Sequence, residues 1–369
     1  MPADATGEMA MGEMAGHGVY DQHSLAQHSA GSYGMPLLER AVGEIAQIDP
    51  GAGPIVIADF GAAGGRNELA PMATAINGLR AGGVTQPIVV VHTDIPTNDF
   101  TTLFETIEQS PNTYLHAPDV FAFAAGRSFY ERIFPPETLT FGWSAIAVHW
   151  LSHVPVPIPD HVYCSFASGD ARAALVRQSA DDWDAFLTAR AAELRPGAQL
   201  VVVGGAATDD GASGAESLMT ALNDSLRDAV STGTLTEDEY RQMTVPTWNR
   251  TIAEFAAPFE SGGGATTAGL TLVEQSLARL PDQYLPAYLS SGRSSGDAGA
   301  FADSVSAFLR AFTEPSLIET LNRGPEARAE IADAVFANVR SRLAAEPATF
   351  ETTWRVALLR ILRAPATRH

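Results

Sequence analysis

The stretch Ile55-Val56-Ile57-Ala58-Asp59-Phe60-Gly61-Ala62-Ala63-Gly64-Gly65-Arg66-Asn67 restricts the possible folds of this chain more than any other. An unbroken apolar run reads as a strand buried on both faces, as in a parallel sheet. The run ends in an acid and a glycine-rich turn, where missing Cβ atoms let the backbone turn sharply and approach a ligand. A helix-like pattern follows. Strand, glycine turn and helix together frame a nucleotide-type cofactor site at the end of a first strand. Asp59, expected at the lip of that strand, favours S-adenosylmethionine over a dinucleotide, because a carboxylate takes the ligand's ammonium but repels a pyrophosphate. Glycine turns also occur for purely structural reasons. A second acid strengthens the reading: Pro87-Ile88-Val89-Val90-Val91-His92-Thr93-Asp94 is another apolar strand, with an acid placed to accept ribose hydroxyls. Helix formers from Glu68 to Leu79 and a Gly82-Gly83 stop fill the gap between them.

The rest of the core alternates in the same way. Strands are expected at 54–60, 87–93, 138–144 and 198–204, and helices at 66–80, 100–109, 127–133, 145–152 and 181–194. Arg195-Pro196-Gly197 marks a helix end before the apolar run at Gln199–Val203. This alternation implies an α/β fold, a doubly wound parallel sheet with right-handed crossovers. After it come an amphipathic helix at 215–232 and a Thr-x-Asp-Glu helix start at 236–243. Strands at 268–279 and 350–362 are expected to form an antiparallel hairpin on the sheet edge, with two or three helices at 300–343.

Composition excludes several classes. A chain of 369 residues, 46% hydrophobic and 18% charged, buries a sizeable core. The net charge of -20 argues against nucleic acid, which needs basic patches, and against an anionic membrane surface. No apolar run reaches the roughly 20 residues of a membrane span, and the start lacks the pattern of a signal peptide. A single cysteine, Cys164, excludes an intramolecular disulfide framework and suits a reducing cytoplasm; it reads as a small buried strand residue.

Other segments have both a structural and a functional reading. Ser24 and Gln27 could be solvated or capping residues, and Asn98 reads as the N-cap of the helix near Asp99. His149 and His153 stand four apart, a metal-ligand spacing on a helix, but no glutamate lies between them and no metal site is expected. Met9, Met11 and Met14 lie in a patternless arm rather than in a defined copper geometry.

Six segments taken in order carry a family resemblance. They are Tyr20-x-x-x-Ser24-x-x-Gln27, Asp59–Asn67, Asp94-Ile95-Pro96-Thr97-Asn98-Asp99-Phe100, Gly126–Pro135, His149-Trp150-Leu151-Ser152-His153-Val154-Pro155, and Phe308–Pro315. The chain resembles the SABATH carboxyl methyltransferases, and within them the bacterial branch that includes mycobacterial fatty-acid methyltransferases, as well as the plant salicylate and benzoate enzymes. The resemblance implies a Rossmann-like class I methyltransferase sheet with an α-helical cap. The parts would be a mobile arm at 1–18, an S-adenosylmethionine-binding core at 19–212, cap helices at 213–250 and 300–345, and edge strands at 265–280 and 348–363. It implies that Ser24, Asp59 and Asn67 hold the methionine end of the cofactor, and that Tyr20, Gly61 and Ser144 also bind the cofactor. Asp94 and Ile95 would hold the ribose, and Ser128 and Phe129 the adenine. Gln27 and Trp150 would hold the substrate carboxylate, with His149, Ile146 and Trp248 in the pocket wall. It further implies a cytoplasmic homodimer acting on a small carboxylic acid, with no metal.

The chain departs from the plant pattern in three places. No lysine precedes Tyr20, Ile146 replaces an aromatic, and small residues fill Gly211–Ala215, which suggests a roomier acid pocket. The implied reaction is direct methyl transfer to an already ionised carboxylate, with no general base. Two alternatives stay open, an N-methyltransferase of the same family and a catalytically silent S-adenosylmethionine-binding protein.

Overall fold

Alternation along the strands decides where the two cores lie. The computed structural model of the chain describes residues 25–48, 51–291 and 295–365. Tyr20, Ser24, the side chain of Gln27 and the methionine arm lie outside the described residues. The strands β1 (Ile55–Phe60), β2 (Ile88–Asp94), β3 (Val120–Gly126), β4 (Leu139–Ala145), β5 (Leu194–Ala206), β6 (Leu270–Arg279) and β7 (Arg355–Arg363) form one sheet in the order β3-β2-β1-β4-β5-β7-β6. β1 to β5 are mutually parallel, and β7 pairs antiparallel with both β5 and β6.

On one face Ile55, Ile57, Phe141, Trp143, Val201 and Val203 pack against helices α1 (Leu25–Ile45) and α2 (Leu69–Ala81). On the other, Val56, Ala58, Phe60, Leu200 and Val202 meet Trp183, Phe186 and Leu187 of α4 (Gly169–Glu193). Helix α3 (Phe100–Gln109) joins β2 to β3. Side chains of successive strand residues point to opposite faces, so each apolar run feeds two cores at once.

A further apolar cluster joins α5 (Glu216–Ser231), α6 (Glu237–Gln242), α9 (Leu285–Ser290), α10 (Ser295–Leu317) and α11 (Pro325–Ala345). The short helices α7 (Ile252–Ala256) and α8 (Gly264–Thr267) precede β6. The expected start signal on α6 is a complete capping box between Thr236 and Glu239. β7 is tied across the sheet by the buried Arg360, which donates to Glu274 of β6 (2.6 Å), Glu44 of α1 (2.8 Å) and Gln199 of β5 (2.9 Å).

Several expectations are corrected. The segments 127–133 and 145–152 are not helices, so His149 and His153 share no helix face. Ile146 has φ 53, a left-handed conformation that is rare for a β-branched residue and stops helical propagation. β3 was not expected, nor was α1, and α4 begins at Gly169 rather than 181. The N-cap of α3 is Asp99, which accepts from the Thr102 amide, whereas Asn98 donates to the Ala63 carbonyl. Cys164 is buried in a 3-10 turn rather than a strand, and burial pushes its thiol up to about 12.

Candidate active site

The glycine turn after β1 builds the floor of the main cavity. Gly61 has φ 92, and a Cβ on it would lie 2.4 Å from that of Ala147, so only glycine fits here. Its amide and that of Ala62 donate to the Thr93 carbonyl of β2 at 2.9 and 3.1 Å. The Ala63 amide donates to Asp94 Oδ2 at 2.8 Å, and Asp94 Oδ1 accepts from Ile95 N at 2.8 Å. The backbone therefore fixes the second-strand acid beside the turn.

The cavity is lined by His28, Gly31, Ser32 and Met35 of α1, by Gly61–Ala63, Asn67, Glu68, Ala70 and Pro71, by Asp94, Ile95 and Asn98, by Ser128–Tyr130, and by Ala145–Ala147 and Trp150–Ser152. It thus brings Gly61, Asn67, Asp94, Ile95, Ser128, Phe129, Ile146 and Trp150 together, as the sequence suggested. It does not include Asp59, Ser144, His149 or Trp248. Asp59 is fully buried beneath the turn rather than at the strand lip, with Oδ2 bonded to His92 Nδ1 at 2.8 Å. Ser144 is buried and donates to the Phe60 carbonyl at 2.9 Å. Trp248 is buried with the Arg172 guanidinium 5.1 Å over its ring.

Two buried cations hold the irregular walls in place. Arg190 donates to the carbonyls of Phe129 (2.7 Å) and Glu131 (2.9 Å), and to Glu193. Glu193 in turn accepts from the amides of Ile133 (2.5 Å) and Phe134 (3.1 Å). Arg250 donates to the carbonyls of Val148 and Ser179. Tyr130 donates from its hydroxyl to the Trp150 carbonyl, and the Trp248 amide to that of His149 at 2.8 Å. These loops are shaped by tertiary hydrogen bonds, each of which satisfies a backbone group that no helix or strand would serve.

The electrostatics suit a cation at the floor and an anion at the wall. Asp59, Glu68 and Asp94 lie together at the end of β1 and β2, and burial, then the charge of Asp94, pushes the Asp59 carboxyl well above its usual range. The Trp150 indole N–H is buried with no acceptor among the described residues. Leaving such a donor unpaired costs about 1–3 kcal/mol, which an incoming acceptor would recover.

A family model for SAM-dependent carboxyl methyltransferases matches residues 6–363. The chain belongs to that family. Among its relatives it is 30% identical over 249 residues to Methyltransferase LUC1 of Fusarium sp, an alignment covering 65% of this chain and 64% of that one. It is 28% identical over 236 residues to Indole-3-acetate O-methyltransferase 1 of Arabidopsis thaliana, covering 57% and 61%. The matched stretch therefore spans less than two thirds of the fungal relative's own length. Among solved structures it superimposes on loganic acid methyltransferase with SAH at a TM-score of 0.77, with 21% identity, covering 98% of this chain and 100% of that one. This likeness extends the class I methyltransferase fold over the whole sheet.

For a carboxyl methyltransferase the cavity fits S-adenosylmethionine. Ser128 and Phe129 give it a polar and an aromatic wall, and Asp94 stands at its floor beside the glycine turn. Sequence reasoning missed Glu68 and the α1 wall. Glu68 looked like a helix former, and only folding brings it against Asp59. No residue of 213–250 or 295–345 lines this cavity. The small residues at Gly211–Ala215 answer to backbone packing instead: a Cβ on Gly214 would lie 2.1 Å from the Thr353 carbonyl oxygen. Among the described residues no cluster of three metal-binding side chains occurs, and no helix is long and apolar enough to cross a membrane.

Proposed function

We propose that this chain transfers a methyl group from S-adenosylmethionine to the carboxylate of a small hydrophobic acid. The unpaired indole N–H of Trp150 in the cavity wall carries this reading. A neutral N–H is suited to an acid oxygen that loses charge as the ester forms, because a full counter-charge would hold the ground state more tightly than the transition state. Bound over the β1 turn, S-adenosylmethionine would supply an electrophilic methyl group. The chain's residues have the task of orientation and water exclusion, worth roughly 7–11 kcal/mol in well-aligned reactions. Asp94 and Ile95 would fix the ribose, Ser128 and Phe129 the adenine, and Trp150 with Gln27 the acid. The cap reading of 213–250 and 300–345, placement in the bacterial branch, a cytoplasmic site and a homodimer belong to the same proposal. The resemblance in the six segments and the low cysteine content support them.

No general base is needed, because a carboxylate with a pKa near 4 is already ionised. His149 is not suited to that role. Burial first, and then the positive charge of Arg250, push its pKa down to about 3. A lowered histidine pKa means that the neutral form prevails at every pH above it, so the ring gains no proton in the working range. We expect kcat with saturating acid to stay flat from about pH 5.5 to 8, and His149→Gln to keep most of the activity. A fall in rate near the ordinary histidine range that disappears in His149→Gln would contradict this.

A labelled-methyl screen across aromatic, indolic, terpenoid and fatty acids tests the reaction itself, with base-labile esters separated from stable N-methyl products. Ester formation from at least one acid is expected. Exclusive N-methylation, or cofactor binding without turnover on any acid, would overturn it. The apolar wall of Met35, Ile146 and Leu151 should favour bulky or extended acids over benzoate, because each buried methylene contributes about 0.8 kcal/mol. Comparing kcat/KM along a chain-length series checks this, and a best substrate no larger than benzoate would refute it.

A further inference from the structure

We propose that Gly31 of α1 determines which acids this chain accepts: the side chain it lacks is the room that a bulky or extended acid fills. The inference rests on the reading of the cavity as the joint site of S-adenosylmethionine and a carboxylic acid. Gly31 lines the cavity with His28, Ser32 and Met35, and these four spacings lie on one face of the helix. Two glycines three positions apart on α1 differ in what they serve. A Cβ on Gly34 would lie 2.4 Å from Val203 Cγ2 and 2.8 Å from the Trp143 ring, so α1 can rest on the sheet only with glycine there. A Cβ on Gly31 would meet, among the described residues, only that of Ala145 at 3.9 Å, an ordinary contact. The Gly31 backbone is helical rather than left-handed. Neither packing nor conformation therefore demands glycine at this position, and glycine inside a helix is less stable than alanine. What the missing side chain leaves is space in the cavity wall.

The strand order decides which ligand meets that space. Asp94 ends β2, and Ser128 and Phe129 follow β3, all on one side of the β1 turn. Ala145, the neighbour of Gly31, ends β4 on the other side of β1. The walls proposed for ribose and adenine thus lie toward β2 and β3, and Gly31 lies toward β4. The segment leaving β4 brings Ile146 and Trp150 to the same cavity. Trp150 is only 8% exposed, and its indole N–H has no acceptor among the described residues. A donor buried so far without a partner marks the carboxylate end of the acid. An acid held by that N–H extends along the wall in which Gly31 leaves its gap.

The test is kcat/KM along a straight-chain acid series, with thermal melting and S-adenosylhomocysteine calorimetry, for the full chain and for Gly31→Ala, Gly31→Leu and Gly43→Ala. Gly43 is exposed on the same helix with nothing near its missing Cβ, so its variant reports the helix effect alone. Both alanine variants should melt about 1–2 °C higher than wild type. Gly43→Ala should keep the wild-type acid profile. Gly31→Leu puts four carbons into the gap and should move the best acid down by about three or four carbons, with about fourfold lost in kcat/KM for each methylene no longer buried. Gly31→Ala should move it by about one carbon, and it decides the matter should the leucine variant not fold. Affinity for S-adenosylhomocysteine should change little in either. An unchanged acid profile in the Gly31 variants would overturn the proposal. A lower melting temperature in Gly31→Ala would make the glycine structural, and a cofactor affinity that falls in step with kcat/KM would place the cofactor, not the acid, beside it. No ester from wild type with any acid would overturn the reaction itself, whatever the variants bind.

Discussion

Replacing Glu193 by alanine is expected to cost the fold about 3–5 kcal/mol, the usual consequence of removing one partner of a buried ion pair. Both members of the Arg190–Glu193 pair are fully buried. The substitution strands the Arg190 guanidinium and the amides of Ile133 and Phe134 together. A loss of that size is a large part of the roughly 5–15 kcal/mol that typically holds a domain. The same pair fixes the carbonyl of Phe129 in the cavity wall, so weaker cofactor binding should accompany the lower stability. Glu193→Gln keeps the volume and one acceptor, and should fall between the two. Urea titration of all three proteins gives the answer: a loss below about 1 kcal/mol in Glu193→Ala would mean that the pair does not hold this wall.

Trp150→Phe is expected to lower kcat/KM by about 10- to 100-fold, corresponding to one lost hydrogen bond to a charged group. A six-membered aromatic ring remains, while the N–H and the rest of the indole's second ring are lost, so the hydrogen bond and part of the apolar wall go together. Trp150→Ala should be worse, because it also opens a hole beside Tyr130 and His149. Cofactor affinity should change little in either variant. Turnover near the wild-type rate by Trp150→Phe would remove the indole from the acid site, whereas equal losses in cofactor affinity and turnover would make Trp150 a structural wall.

The parts of the fold that were legible in the sequence are those that obey one rule at a time. β1, β2, β4 and β5 are buried on both faces and show as apolar runs. β3 lies at the sheet edge and turns Phe121 and Phe123 outward, about half exposed, so neither an apolar run nor a polar alternation marks it. α1 carries Gly31, Gly34 and Pro36, which weaken any helical reading, yet its packing on the sheet overrides propensity. Residues 127–133 and 145–152 have helical spacing, but Arg190, Arg250 and the left-handed Ile146 hold them otherwise. At the site, the glycine turn and Asp94 could be read because their chemistry is local. The place of Glu68 in the cavity lining could not, since in the sequence it reads as an ordinary helix former.

The place of β7 in the sheet also has a consequence for synthesis. This strand is made after both β5 and β6, yet it sits between them and supplies Arg360 to both. A nascent chain stalled before Arg355 therefore presents two unpaired strand edges, one of them belonging to the apolar β5. Unpaired edges invite pairing with other chains. Translation of β7 closes both at once, so a premature stop within this short stretch should yield aggregate rather than a slightly weakened enzyme.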